Sequence, residues 1–94
     1  IALNEEVGSN RIHVEANLGL AHTYVHQGKI REAMDIFESI LEIAKDLGDK
    51  KIISEIYLNI GWAQIQNNNI KEANSHLNKG LEIAKKYNLI TEME

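Results

Sequence analysis

The sequence predicts an all-α chain of antiparallel helix–turn–helix repeats, and three observations carry that expectation. Sliding the chain against itself by 40 residues produces a colinear, ungapped match. Apolar residues recur at helical spacing inside each of the two units so defined. Proline is absent, which removes the commonest interruption of long helices.

The internal match is dense. Gly8 falls on Gly48, Ile12 on Ile52, Glu15 on Glu55 and Leu18 on Leu58. Ile30 falls on Ile70, and Glu32-Ala33 on Glu72-Ala73. The run Leu41-Glu42-Ile43-Ala44-Lys45 repeats as Leu81-Glu82-Ile83-Ala84-Lys85. Self-similarity at a fixed period of this size marks an array in which each unit is one supersecondary element.

Each unit divides into a helix A and a helix B. In unit one, helix A is expected over 12–27, with Ala16, Leu20, Ala21 and Tyr24 as its apolar stripe. Gly28-Lys29 makes the turn, and helix B follows over 30–47. Ile30, Ala33, Ile36, Phe37, Ile40, Leu41 and Ala44 form its buried stripe. Unit two repeats the pattern over 52–67 and 70–87.

Gly8, Gly48 and Asn88 sit just after the B-type helices, where a left-handed residue closes a helix at low cost. Ser9 and Asp49 come next and can cap the following helix A. Thr91 to Glu94 has capping-box spacing. The chain therefore reads as one domain over 1–94. Residues 1–8 end a preceding helix B, 9–48 and 49–88 are repeats one and two, and 89–94 begin a further helix A. It starts at Ile1 without an initiator Met and reads as a piece of a longer protein.

Composition narrows the function classes. Hydrophobic residues make up 44%, enough for a folded helical domain and against disorder. The net charge of −4 argues against direct contact with nucleic acid, whose phosphates require a basic face. The absence of cysteine excludes disulfides and thiolate metal sites and agrees with a reducing compartment. No apolar run approaches the roughly 20 residues of a membrane span, and no signal peptide is expected.

Position by position, the units resemble the tetratricopeptide repeat. Ile60-Gly61 in unit two, and Leu20-Ala21 followed by Tyr24 in unit one, match its helix-A pattern. Gly28 or Asn68 holds the turn, Ala33 and Ala73 are the early small residues of helix B, and Phe37 and Leu77 the large ones. Unit one departs where Ile40 replaces the small residue that Gly80 supplies in unit two. The usual terminal proline is missing, and the 40-residue period exceeds the common one of roughly 34. The period and the phrase Leu41 to Asp49 are similar to repeats of Gram-positive peptide-pheromone receptor regulators. The resemblance implies a right-handed superhelix of stacked pairs, a cytoplasmic location, and binding of a protein or short peptide inside a larger bacterial regulator of transcription.

In that family helix A lines the concave face, so the helix-A residues pointing away from helix B are the candidate ligand contacts. In unit one these are Glu15, Leu18, Gly19, His22, Val25 and His26. In unit two they are Glu55, Leu58, Asn59, Trp62, Ile65 and Gln66. The mixture of apolar, amide and aromatic groups suits an extended peptide or a partner helix. Trp62 reads equally as a binding hot spot or as packing against helix A of unit one. Asn59 can offer a donor and an acceptor to a peptide main chain. The Lys, Asn and Arg set of the carboxylate-clamp subtype lacks its cations here, so that mode of capturing a free C-terminus is not expected.

His22 and His26 lie at metal-ligating spacing, but no third ligand accompanies them and no metal is expected. His13 and His76 read as isolated. The acidic residues Glu32, Glu38, Glu42 and Glu82 fall on outward helical positions. No phosphate loop, dinucleotide fingerprint or nucleophile elbow occurs, so neither a cofactor nor catalysis is expected.

The alternative function class is a structural or oligomerisation element. Two units are fewer than the roughly three that bury a continuous core. Ile1, Leu3 and Val7 at one end, and Tyr87, Leu89 and Ile90 at the other, would then drive homodimers or domain swapping.

Overall fold

The computed structural model describes residues 2–87, with side chains from residue 10 onward. Four helices follow one another: α1 (Ala2–His26), α2 (Ile30–Leu47), α3 (Lys50–Gln66) and α4 (Ile70–Lys86). The linkers are two or three residues long, which forces consecutive helices into antiparallel neighbours.

The two hairpin turns are the same hydrogen-bonded motif built from different residues. After α1, Gly28 N–H donates to the Val25 carbonyl (3.0 Å) and Lys29 N–H to that of Tyr24 (2.8 Å). After α3, Asn68 N–H donates to Ile65 (3.0 Å) and Asn69 N–H to Gln64 (2.7 Å). Both are Schellman closures, and both need a left-handed residue at the same place. Gly28 takes φ 79° and Asn68 φ 62°, the two residue types that adopt it most cheaply.

Between the hairpins, Gly48 closes α2 at φ 69° and Asp49 opens α3 by accepting from the Ile52 amide at 3.1 Å. Arg11 of α1 pairs with the same Asp49 carboxylate, tying the first helix to the N-terminus of the third.

One boundary differs from the sequence expectation. α1 continues through Gly8 and Ser9 without a break, so 2–8 and 9–26 form one helix. A glycine permits a helix to end but does not require it. Its interior cost of about 1 kcal/mol is less than the cost of ending one helix and nucleating another. The stretch 89–94, expected to begin a further helix, lies outside the described residues.

α1 packs on α2, α3 on α4, and the hairpins meet through α2 against α3 and α1 against α3; α2 and α4 do not touch. The α1–α3 side is therefore the inner side of the stack, and α2 and α4 spread apart on the outer side. The shortest dimension, 19 Å, is two helices thick.

The core runs across the repeat boundary. Phe37, Ile40, Ile56 and Val14 are its largest fully buried side chains, joined by Ala21, Ala33, Ala44, Ile52, Ile60 and Ala63. The α2 stripe matches expectation, with Ala33, Phe37, Ile40 and Ala44 buried and Ile30, Ile36 and Leu41 half-buried. In α1 the expected stripe is half met, with Ala21 buried and Tyr24 half-buried as expected. Ala16 and Leu20 are exposed, while Val14 and Val25 are buried. The physical reason lies in the repeat. Ile56 and Ile60 hold the same places in α3 and are buried, because α3 packs between its own partner α4 and the α1–α2 hairpin. No described element covers that face of α1.

Unit two shows the reverse effect in its helix B. Ile30, Leu41 and Leu47 are half-buried, whereas their register partners Ile70, Leu81 and Tyr87 are 51%, 40% and 42% exposed. Among the described residues, nothing stacks beyond α4.

Two glycines set the α3–α4 spacing. A Cβ on Gly61 would lie 2.6 Å from the Leu77 side chain and 3.2 Å from the Ala73 carbonyl oxygen. One on Gly80 would lie 2.8 Å from Leu58 Cδ2 and 3.1 Å from the Ser54 carbonyl oxygen. The buried Ser54 hydroxyl donates to the Gly80 carbonyl at 2.9 Å, a bond that this close approach makes possible.

Candidate functional site

The inner side places α1 next to α3, and side chains one 40-residue register apart come to flank the same depression. A shallow groove of about 440 Å³ is lined by Glu15, Leu18, Gly19 and His22 from α1 and by Glu55 and Asn59 from α3. Gly19 forms an open stretch of its floor, since a Cβ there would meet nothing within 4 Å.

At one end of the groove the aromatic residues gather. His22 stacks on Trp62 with ring centroids 4.6 Å apart and planes inclined by 25°. His26, one turn further along α1, meets the same indole edge-on at 5.1 Å and the His22 ring at 4.9 Å. Trp62 is thus packed against helix A of unit one and stays half-exposed. The packing reading of it is seen, with one face given to the repeat interface, and the remainder of the ring is open to solvent.

Asn59 is oriented by two bonds. Its Nδ2 donates to the Glu55 carbonyl at 2.8 Å, which turns Oδ1 toward His22 Nδ1 at 3.2 Å. An amide oxygen only accepts, so His22 carries its proton on Nδ1 in this arrangement. One Nδ2–H and one Oδ1 lone pair remain for a ligand, rather than the whole amide.

Other expected contacts sit elsewhere. Val25 is 4% exposed and belongs to the core, so it cannot touch a ligand. Its register partner Ile65 is 41% exposed; burial at this position depends on a following hairpin, which α1–α2 has. Leu58 is half-buried with its tip against Gly80, directed at α4 rather than the groove. Ile65 and Gln66 are exposed at the end of α3 and do not line the groove.

His76 is not isolated. Its Nδ1 lies 2.8 Å from Gln64 Oε1 and 3.0 Å from the Glu72 carbonyl, and its ring stacks over Tyr57 at 6.1 Å. This satisfies Gln64, a buried polar side chain between α3 and α4. The contact spans twelve residues and a turn, and no local pattern announces it. Among the described residues, His13 is hydrogen-bonded only to Asn17, one turn away on its own helix.

The charge on the groove is one-sided. Its lining carries Glu15 and Glu55 and no lysine or arginine. Arg11 is paired with Asp49, Lys29 lies over Tyr24, Lys79 over Tyr57, and Lys50 and Lys86 over Tyr87. Among the described residues, no three His, Asp or Glu side chains gather where they could hold a metal ion. No described helix is long and apolar enough to cross a membrane.

The family model for the tetratricopeptide repeat matches residues 13–86. No curated protein and no solved structure matches the chain.

Proposed function

Because the chain belongs to the tetratricopeptide repeat family, whose repeats generally mediate protein–protein interaction and are typically not catalytic, we propose that it is a protein- or peptide-binding module. The observation that carries this reading is the groove between α1 and α3. Leu18, Gly19 and Asn59 there combine an apolar floor with a partly unused amide, beside a half-exposed Trp62. An extended segment or a partner helix fits such a surface, taking affinity from main-chain bonds and selectivity from side-chain contacts. The finer reading is a peptide-sensing part of a larger bacterial regulator, supported by the 40-residue period and the Leu41 to Asp49 phrase.

The test is a titration of Trp62 fluorescence with short apolar peptides, the indole being the chain's single tryptophan. Binding that shifts the emission, and that Asn59→Ala abolishes while circular dichroism stays helical, supports the reading. An emission unresponsive to any peptide, together with a stable dimer at low micromolar concentration, favours the structural alternative. The exposed Ile70, Leu81 and Tyr87 are the surface that alternative would use.

A further inference from the structure

Resting on that reading, we propose that the segment bound in the α1–α3 groove is basic at one end and apolar or aromatic at the other. A Lys or Arg would sit between Glu15 and Glu55, and a large apolar side chain would follow about three positions along.

Charge complementarity gives the first half. The two carboxylates belong to equivalent positions of successive repeats and flank one groove, so they face the same stretch of ligand. No cation among the lining residues neutralises either one. The nearest arginine on α1, Arg11, is committed to Asp49. An acidic ligand or a free C-terminal carboxylate laid here would meet like charge, and a basic side chain would meet opposite charge.

Geometry gives the spacing. α1 and α3 run in the same direction, so the groove passes from the carboxylates at Glu15 and Glu55 to the His22, His26 and Trp62 rings. Glu15 and His22 are seven residues apart on one helix, about 10 Å along its axis. An extended chain advances about 3.4 Å per residue, so roughly three residues span that distance. The open floor at Gly19 lies between the two ends and lets a main chain pass close to α1.

The experiment compares two fluorescein-labelled, C-terminally amidated peptides of about eight residues. Both are Ser/Gly chains with one Phe; the first has Arg three positions before the Phe and the second has Glu in place of that Arg. Anisotropy titration is expected to show the Arg peptide binding about five- to tenfold more tightly, the effect of two exposed ion pairs. The preference shrinks with added salt. It disappears in Glu15→Gln/Glu55→Gln, and it reverses in Glu15→Lys/Glu55→Lys. Equal affinity of the two peptides for the unaltered chain, or a preference that survives the Gln pair, overturns the inference and leaves the binding reading standing. Failure of both peptides to bind a chain that is helical by circular dichroism overturns the two together.

Discussion

The His22 imidazole lies on the Trp62 indole, with ring centroids 4.6 Å apart, and its Nδ1 reaches Asn59 one turn earlier on α3. The stack joins successive repeats at the groove itself, so the same rings serve the interface and the surface. A double-mutant cycle on His22→Ala and Trp62→Ala is expected to give a coupling of about 0.5–1.5 kcal/mol, read from urea unfolding midpoints. Strictly additive losses would show that the stack contributes no energy of its own.

The glycines divide by what surrounds them. Gly80→Ala is expected to destabilise the chain, because overpacking against Leu58 and the Ser54 carbonyl costs about 1–3 kcal/mol and improved helix propensity returns only about 1. Gly19→Ala meets open space and is expected to stabilise by about 0.5–1 kcal/mol. Thermal unfolding of the two variants should therefore move in opposite directions. A Gly80→Ala variant that melts higher than the parent would contradict the close α3–α4 approach.

Asp49 combines a cap and an ion pair, and two substitutions separate them. Asp49→Ala removes both and should cost about 1–2 kcal/mol. Asp49→Asn keeps a capping oxygen and loses only the pair with Arg11, whose side chain is 42% exposed, so its cost should stay below about 1 kcal/mol. Equal losses by denaturant unfolding would assign the whole effect to the ion pair.

Phe37 is fully buried where α2 meets the rest of the core. Phe37→Ala should cost about 3–5 kcal/mol, a large part of what a chain of this size possesses. Loss of a cooperative unfolding transition, by circular dichroism or calorimetry, is the expected reading. A variant that unfolds as cooperatively as the parent would contradict the core described above.

The parts of the fold set by short-range chemistry were legible in the residues. The 40-residue register, the left-handed Gly48, the Asp49 cap and the α2 stripe all depend on contacts within a turn or two. The continuous α1 was not, because Gly8 allows two outcomes and only the balance of propagation against termination decides between them. The buried face of α1 was misassigned for a different reason. In a stacked array a helix A has one face toward its partner and another toward the neighbouring repeat, and periodicity alone does not say which neighbours exist. Leu20 and Ile60, identical in pattern, end at 43% and 3% exposure. At the site, the sequence placed His22, His26, Asn59 and Trp62 on one expected face without showing which of them touch. Their convergence comes from the stacking of α3 on α1, across 33 to 40 positions of chain.

The most direct test of the central claim is to map the bound segment by amide shift perturbation on the labelled chain, using the Arg–Phe peptide. The account predicts the largest changes at Glu15, Leu18, Gly19, His22, Asn59 and the Trp62 indole N–H, with α4 undisturbed. Changes concentrated instead on Leu81 and Tyr87, or spread over the outer faces of α2 and α4, would contradict it.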